Sequence, residues 1–252
     1  MFIEASRQIT NTETVFVGSG ISFVVAMLAQ RLHAPNAGLL VDSGAIDPIL
    51  QRIPLSVSDG WIAQRAVRLG SMREVLGCLI RRGSVIGVLG AAQVDEYGNI
   101  NSSYVDAGMS HLRRLPGSGG ATAVAWNAPR LLLVLRHERR RLPKRCDYIS
   151  SPGYLDGARR RAELGISVPQ PDITVVTDLC VMRSDRDSGR LIATRIMPGV
   201  PAQVVRDNTE FPLGIADDLV CVAPPSSLEL SVLRQQVDPE HLYVRQVPAT
   251  SF

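Results

Sequence analysis

The sequence predicts an α/β protein built on an open, mostly parallel sheet with helices on both faces. Three adjoining stretches carry that expectation. "TVFVGSG" (14–20) is a run of β-formers that breaks on glycine. "ISFVVAMLAQRLHAP" (21–35) is apolar nearly throughout, as a buried helix is, and stops before its proline. "AGLLVD" (37–42) is a second short apolar strand. Strand, helix and strand in so few residues make a right-handed parallel βαβ unit.

The later elements alternate in the same manner. Ser71 opens a helix that Gly83 closes, with Met72, Val75, Leu76, Leu79 and Ile80 on one face. "SVIGVLGAAQVD" (84–95) is a strand with its exit loop, and "EYGNIN" (96–101) is a turn. "ATAVAWNAPRLLLVL" (121–135) packs small residues and then a strand at Leu131–Leu135. "DITVVTDLCVMR" and "RLIATRIM", split by the polar "SDRDSG", read as a β-hairpin. "PAQVVRDNT" (201–209) is a short helix, and "SSLELSVLRQQVDP" (226–239) is a C-terminal helix capped by Ser226 or Ser227. Residues 137–171, rich in Arg and Pro, read mainly as surface loops. With no repeat, low-complexity tract or linker, residues 1–252 are expected to form a single domain.

Composition narrows the function classes. The chain is 45% hydrophobic and 20% charged, ordinary for a soluble globular protein with a sizeable core. A net charge of +3 does not by itself call for nucleic acid. No run of about 18 apolar residues exists, so no membrane span is expected. The start "MFIEASRQIT" lacks the pattern of a secretory signal. Cys78, Cys146, Cys180 and Cys221 are far apart and form no CxxC pair, so no metal site is expected. Cys180 and Cys221 sit in apolar strand-like runs and are expected in the core, and unpaired cysteines of this kind fit a reducing cytoplasm. His33, His111, His137 and His241 form no triad pattern with Ser or Cys. His33 falls at a helix end, and Trp126 is expected to pack in the core.

Three stretches can carry chemistry. In the first, Gly18 and Gly20 make a turn between strand and helix, where backbone N–H groups can hold an anion. Asp42 follows at the end of the second strand, where a dinucleotide-binding fold keeps its ribose acid. Phe23 stands where that fold has its third glycine, and a tight turn alone would also require Gly18 and Gly20. Asp42 is therefore open to three readings: a nucleophile, a ribose ligand for a nucleotide such as NAD, or a turn residue. In the second stretch, polar Gln93, Asp95, Asn99 and Asn101 crowd the end of a strand, which in a parallel sheet faces the ligand crevice. An Asx turn in a plain polar loop accounts for them equally well. In the third, Gly117, Gly119 and Gly120 expose N–H groups suited to an oxyanion or a phosphate, without the Lys-Ser or Lys-Thr of a P-loop.

In this order the motifs resemble the β subunit of class I CoA-transferases, the glutaconate CoA-transferase type. "VFVGSGISFVVAMLAQRLHAPN" resembles that family's opening strand, glycine turn and helix. "VDSGAID" resembles the segment that carries the catalytic glutamate, and "GVLGAAQVDEYGNIN" the G-A-x-Q-V-D-x-x-G-N signature. "GSGG" resembles the glycine loop, and "MPGVPAQVVRDNTEFPL" a late proline-glycine segment. The resemblance spans roughly residues 14–215. It implies an open α/β fold, a partner α subunit in an α2β2 assembly, and acyl-CoA chemistry with CoA as substrate and no dissociable cofactor. It implies Asp42 as the catalytic acid and Gly119 and Gly120 as oxyanion donors. Gly18, Gly20, Ser43, Gly44, Gln93, Asp95 and Asn99 would line the same pocket and contact CoA.

Asp42 departs from the family, which has glutamate there. Aspartate withdraws the carboxylate by about 1.5 Å, one C–C bond, and a 1 Å misplacement can cost about a hundredfold in rate. Branches of the family that lack the glutamate hydrolyse CoA thioesters, cleave C–C bonds or decarboxylate. Those reactions stand as the alternative to transfer. The basic stretches "RHERRRLPKR" (136–145) and "ARRRAE" (158–163) contain no interleaved aromatic residue for base stacking, so nucleic acid is not expected. They suit a solvated surface, an acidic partner subunit or the phosphates of CoA.

Overall fold

The computed structural model describes residues 1–106, 112–166, 168 and 170–244. Helix α1 (Phe2–Ser6) precedes the expected unit of β1 (Thr14–Val17), α2 (Ile21–Leu32) and β2 (Gly38–Val41). Then come β3 (Ala45–Pro48), α3 (Gly60–Gln64), β4 (Ala66–Leu69), α4 (Met72–Gly77) and β5 (Val85–Gly90). Two small hairpins follow: β6 (Gln93–Val94) with β7 (Ile100–Asn101), and β8 (Tyr104–Asp106) with β9 (Leu112–Arg114). The second half holds α5 (Ala121–Asn127), β10 (Arg130–Val134), α6 (Arg160–Glu163), β11 (Asp172–Val176), β12 (Cys180–Ser184) and β13 (Leu191–Ile196). Last are α7 (Ala202–Asp207), β14 (Gly214–Cys221) and α8 (Ser227–Ser231).

Ten strands form one sheet in the order β14-β13-β12-β11-β10-β5-β1-β2-β3-β4. The centre, from β11 to β2, is parallel throughout. Its strands are apolar on both faces because both faces are covered. Val15 and Val17 of β1 join the core layer beneath α2, whereas Phe16 joins the opposite layer with Val75 of α4 and Val124 of α5. The period-two alternation of side chains thus places one buried strand in two cores.

The structure corrects several sequence expectations. "DITVVTDLCVMR" is two strands, because Thr177 closes a tight turn by accepting the Cys180 N–H at 2.9 Å on its hydroxyl. The segment therefore gives three antiparallel strands with β13. The helix opened by Ser71 ends at Gly77 and gives way to a 3-10 turn at Leu79–Arg81, and Met72 is exposed. Its cap is as expected, with the Ser71 side chain accepting from the Glu74 N–H. Ser226 is the C-terminal cap, in a reciprocal box with Glu229, and α8 continues as a π-helical turn over Val232–Val237.

Cys180 is buried, but Cys221 ends edge strand β14 and is exposed. Residues 137–171 are irregular yet not mainly surface: His137, Leu142, Cys146, Ser151, Tyr154 and Arg161 are all buried. Arg161, in the basic "ARRRAE" stretch, is only 1% exposed. It stacks 4.8 Å over Trp126 and donates to the carbonyls of Gly153 and Ala125. There a cation acts as a peg for irregular backbone instead of a surface charge.

Candidate active site

The site lies where parallel strands diverge. Strand β1 is flanked by β2 on one side and β5 on the other, so the chain reverses direction across the sheet at β1. Ligand crevices in open α/β sheets form outside the strand C-termini at such points. A cleft of roughly 440 Å³ opens there, lined by Gly18 after β1, Asp42 after β2, Gly90 and Ala91 at the end of β5, and the glycine loop 117–120.

Asp42 is half-buried. Its Oδ1 is shielded from solvent and has no hydrogen-bond partner. Burial raises its pKa above the usual carboxylate range, and a hydrogen bond from the Ser43 N–H offsets this only in part. Asp42 is the only ionisable side chain lining the cleft among the described residues.

The backbone behind Asp42 is fixed by Gly44, whose φ is +106°. The Gly44 N–H donates to Val41 O at 2.9 Å, and its carbonyl accepts the Gly70 N–H at 2.8 Å. A Cβ on Gly44 would lie 2.3 Å from the Gly70 carbonyl oxygen, so only glycine fits this turn. On the other side of Asp42, Gly120 opens α5, and a Cβ there would stand 3.4 Å from the Asp42 Cβ. The glycine loop is therefore pressed against the root of the acid. Neither the Gly119 nor the Gly120 N–H donates to an acceptor among the described residues, which leaves both available to a ligand.

The expected site residues divide into two groups. Asp42, Gly18, Gly119 and Gly120 meet at the cleft. Gly20 caps α2, Gly44 lies buried behind Asp42, and Ser43 is exposed, so these three shape the turns without lining the cleft. Gln93, Asp95 and Asn99 do not share this cleft. The Asp95 carboxylate accepts from the backbone N–H groups of Tyr97, Asn99 and Cys146 and from the Asn99 side chain. Asn99 in turn holds the N–H groups of Gly153 and Leu155 on its amide oxygen. Gln93 bridges Asn101 and Asp147. Their side chains are consumed in pinning an irregular loop, and Asp95 and Asn99 border a separate pocket with Lys144 and Arg145.

His33, His137 and His241 do not line the cleft, and His111 lies outside the described residues. His33 Nε2 sits 3.1 Å from Ile9 O. Phe23 is fully buried in the core beneath the sheet, where a dinucleotide fold needs glycine for close helix contact. Sequence reasoning missed Ser22, whose hydroxyl donates to Gly18 O at 2.8 Å and clamps the first turn. A serine placed four residues after a turn glycine was the available signal. It also missed Ala91, Ala92 and Leu115, cleft residues that carry no chemical signature.

Comparison with known proteins places this geometry. Residues 1–208 match the coenzyme A transferase family model. The chain is 33% identical to the β subunit of 3-oxoadipate CoA-transferase from Pseudomonas knackmussii, over 93% of this chain and 90% of that protein. It is 30% identical to the β subunit of glutaconate CoA-transferase from Acidaminococcus fermentans, over 98% and 93%. The crystal structure of the Acidaminococcus enzyme superposes with a TM-score of 0.89, covering 98% of this chain and 96% of that one. The decarboxylase AibA/AibB shares the fold at a TM-score of 0.77 with 21% identity, covering 96% and 94%. An acid and a glycine loop meeting at the strand ends, inside a fold and sequence shared over nearly its whole length, make this chain a member of the coenzyme A transferase family, of the β-subunit type.

Proposed function

We propose that this chain is the β subunit of a heteromeric enzyme that transfers CoA between carboxylic acids, with Asp42 attacking the thioester. One observation carries the reading: an unpartnered, desolvated Asp42 oxygen faces a cleft whose opposite wall offers the free N–H groups of Gly119 and Gly120. Desolvation strengthens a carboxylate as a nucleophile, and preorganised N–H donors stabilise the oxyanion of each tetrahedral intermediate.

The steps balance without a net proton. The Asp42 carboxylate attacks the acyl carbonyl and CoA leaves as thiolate, giving an acyl–aspartyl anhydride. The thiolate then attacks the aspartyl carbonyl, releasing the first carboxylate and leaving CoA as a thioester on Asp42. A second carboxylate reverses the sequence and departs as the new acyl-CoA. CoA is a substrate here, and the chemistry calls for no dissociable cofactor.

The cleft supplies one ionisable group, so recognition of the acyl carboxylate falls to a partner α subunit in an α2β2 assembly. Exposed Ile49, Leu55, Trp61, Val67 and Leu69 near the β3–β4 edge support a chain that is covered in its assembly. Residues 1–252 act as one domain in this reading. Four free cysteines fit a cytoplasmic enzyme, and no helix among the described residues is long and apolar enough to cross a membrane.

The second reading is thioester hydrolysis, C–C cleavage or decarboxylation with Asp42 as a base. The observation in its favour is the shorter side chain. Incubating the complex with acyl-CoA and then borohydride separates the two. Transfer leaves an alcohol at Asp42 and a mass change on the peptide that contains it. Asp42→Asn abolishes the adduct, and Asp42→Glu retains it. Free CoA released into water with no adduct overturns transfer.

A further inference from the structure

The β8–β9 hairpin stands beside the cleft and presents a guanidinium that the chemistry above does not use. In its antiparallel register Tyr104 faces Arg114, and Val105 faces Arg113. Arg114 lies 4.9 Å over the Tyr104 ring, and its Nη1 donates to the Tyr104 hydroxyl. Its Nε donates to the Leu115 carbonyl at 3.1 Å. These contacts fix the plane of the group. Its remaining nitrogen, Nη2, has no acceptor among the described residues and would lie 3.9 Å from a Cβ on Gly117, the first glycine of the cleft loop. No carboxylate pairs with Arg114 among the described residues, although Glu74, Glu138 and Asp172 each neutralise an arginine elsewhere. An arginine held in place yet left without an anion suits a phosphate ligand.

We propose that Arg114 binds the phosphates of the CoA nucleotide and so anchors the thioester over Asp42. The glycine loop sets the reach. Gly117 adjoins Arg114 and Gly120 adjoins Asp42. Three trans peptide steps separate their Cα atoms by at most about 11 Å. The pantetheine arm of CoA spans such a distance without full extension. A ligand with its thioester at Asp42 and its arm along the loop brings its phosphates to the Arg114 side. The recognition is electrostatic and bidentate, made in ground and transition states alike, so it acts on KM and not on kcat.

Arg113 is the internal control. It is adjacent on the same strand and equally exposed, but strand alternation points it to the opposite face. Arg113→Ala removes the same unit of charge without touching the loop side.

This inference rests on the CoA reading above, and its test separates the two. The complex with its α subunit is assayed with an acyl-CoA and with the matching acyl-pantetheine, which lacks the phosphates. The ratio of their kcat/KM values is the readout. Arg114→Ala is expected to lower the wild-type ratio by about ten- to a hundredfold, the worth of a charge-assisted hydrogen bond to phosphate. The loss should appear in KM for acyl-CoA. Arg114→Lys should recover part of the ratio, which a purely structural role for the stacked arginine would not produce. A ratio unchanged in a folded Arg114→Ala complex overturns the inference, as does an equal fall in Arg113→Ala, which would mark general charge attraction. A wild-type complex that turns over both esters equally also overturns it while leaving the CoA chemistry standing. A wild-type complex that neither binds CoA nor turns over either ester overturns the CoA reading and this inference together.

Discussion

A side chain at Gly120 should inhibit in proportion to its bulk while leaving the protein folded. The backbone there already has φ −74° and ψ −9°, so alanine meets no conformational barrier. Its methyl would stand 3.0 Å from Leu76 Cδ2 and 3.4 Å from the Asp42 Cβ. Leu76 offers the end of a flexible chain and can yield, whereas the Asp42 Cβ is tied to a turn that Gly44 and Gly70 hold rigid. The strain therefore divides between a Leu76 rotation and a shift of a few tenths of an ångström in the loop relative to the acid. If 1 Å of misplacement costs about a hundredfold, such a shift costs roughly three- to tenfold in kcat. Valine adds two γ carbons in the same space, needs about 1 Å and should cost on the order of a hundredfold. The stability loss from overpacking, about 1–3 kcal/mol, is smaller than the stability of an ordinary domain. The assay is kcat of the assembled complex, with circular dichroism and thermal melting of each variant. Full turnover by a folded Gly120→Val complex would refute the reasoning and reduce the loop to a structural turn.

Other consequences follow from the same geometry. The raised pKa of Asp42 means that the folded state holds its proton more tightly than the unfolded chain, so its charge costs stability once the pH exceeds the folded pKa. Asp42→Asn should therefore raise Tm at neutral pH and lose that advantage as the pH falls through the folded pKa. An equal or lower Tm at neutral pH would contradict this. The acid limb of the kcat/KM profile should lie above the ordinary aspartate pKa of about 3.9, because only the ionised acid attacks. A limb at or below that value would show that burial does not govern the acid. Gly44→Ala should destabilise by about 3 kcal/mol through its clash with the Gly70 carbonyl and its left-handed φ, measurable by urea titration. Arg161→Ala should cost at least about 3 kcal/mol, since it orphans buried carbonyls of Gly153 and Ala125 and leaves Trp126 unstacked.

What the sequence made legible was set by how local each physical constraint is. The β1–α2–β2 unit could be read because its strands are apolar on both faces and its breaks are glycine and proline. The caps at Ser71 and Ser226 could be read because a cap is a contact over three residues. The turn at Thr177 could not, because nothing in "VVTDLC" marks a break except a threonine hydroxyl that happens to close the turn. Buried Arg161 was hidden for the opposite reason. Its partners are an indole and carbonyls far along the chain, and a run of arginines reads locally as surface. The site behaved alike. Asp42 and the glycine loop stood out through backbone requirements, whereas Gln93, Asp95 and Asn99 were drawn into the same pocket because polar residues after a strand suit a ligand and a folded loop equally. Only the direction of each side chain separates those cases, and direction is tertiary.

The shorter acid acquires its meaning from the loop that faces it. A carboxylate working as a general base needs a fixed orientation toward the water it activates, which a neighbouring donor normally supplies. Asp42 receives a hydrogen bond from its own chain neighbour Ser43, while Oδ1 is left bare. A nucleophile needs that opposite condition: an oxygen stripped of solvent and of partners. The lost methylene withdraws the carboxylate toward its backbone, and Gly120 is the wall that meets it there, close enough that a single methyl would touch the Asp42 Cβ. A loop seated this near the root of the acid carries its N–H donors to where the shorter side chain places an oxyanion. The substitution of aspartate for glutamate and the close approach of Gly120 therefore belong to one geometry. In that geometry attack by Asp42 on a carbonyl held beneath Gly119 and Gly120 requires no repositioning of the backbone.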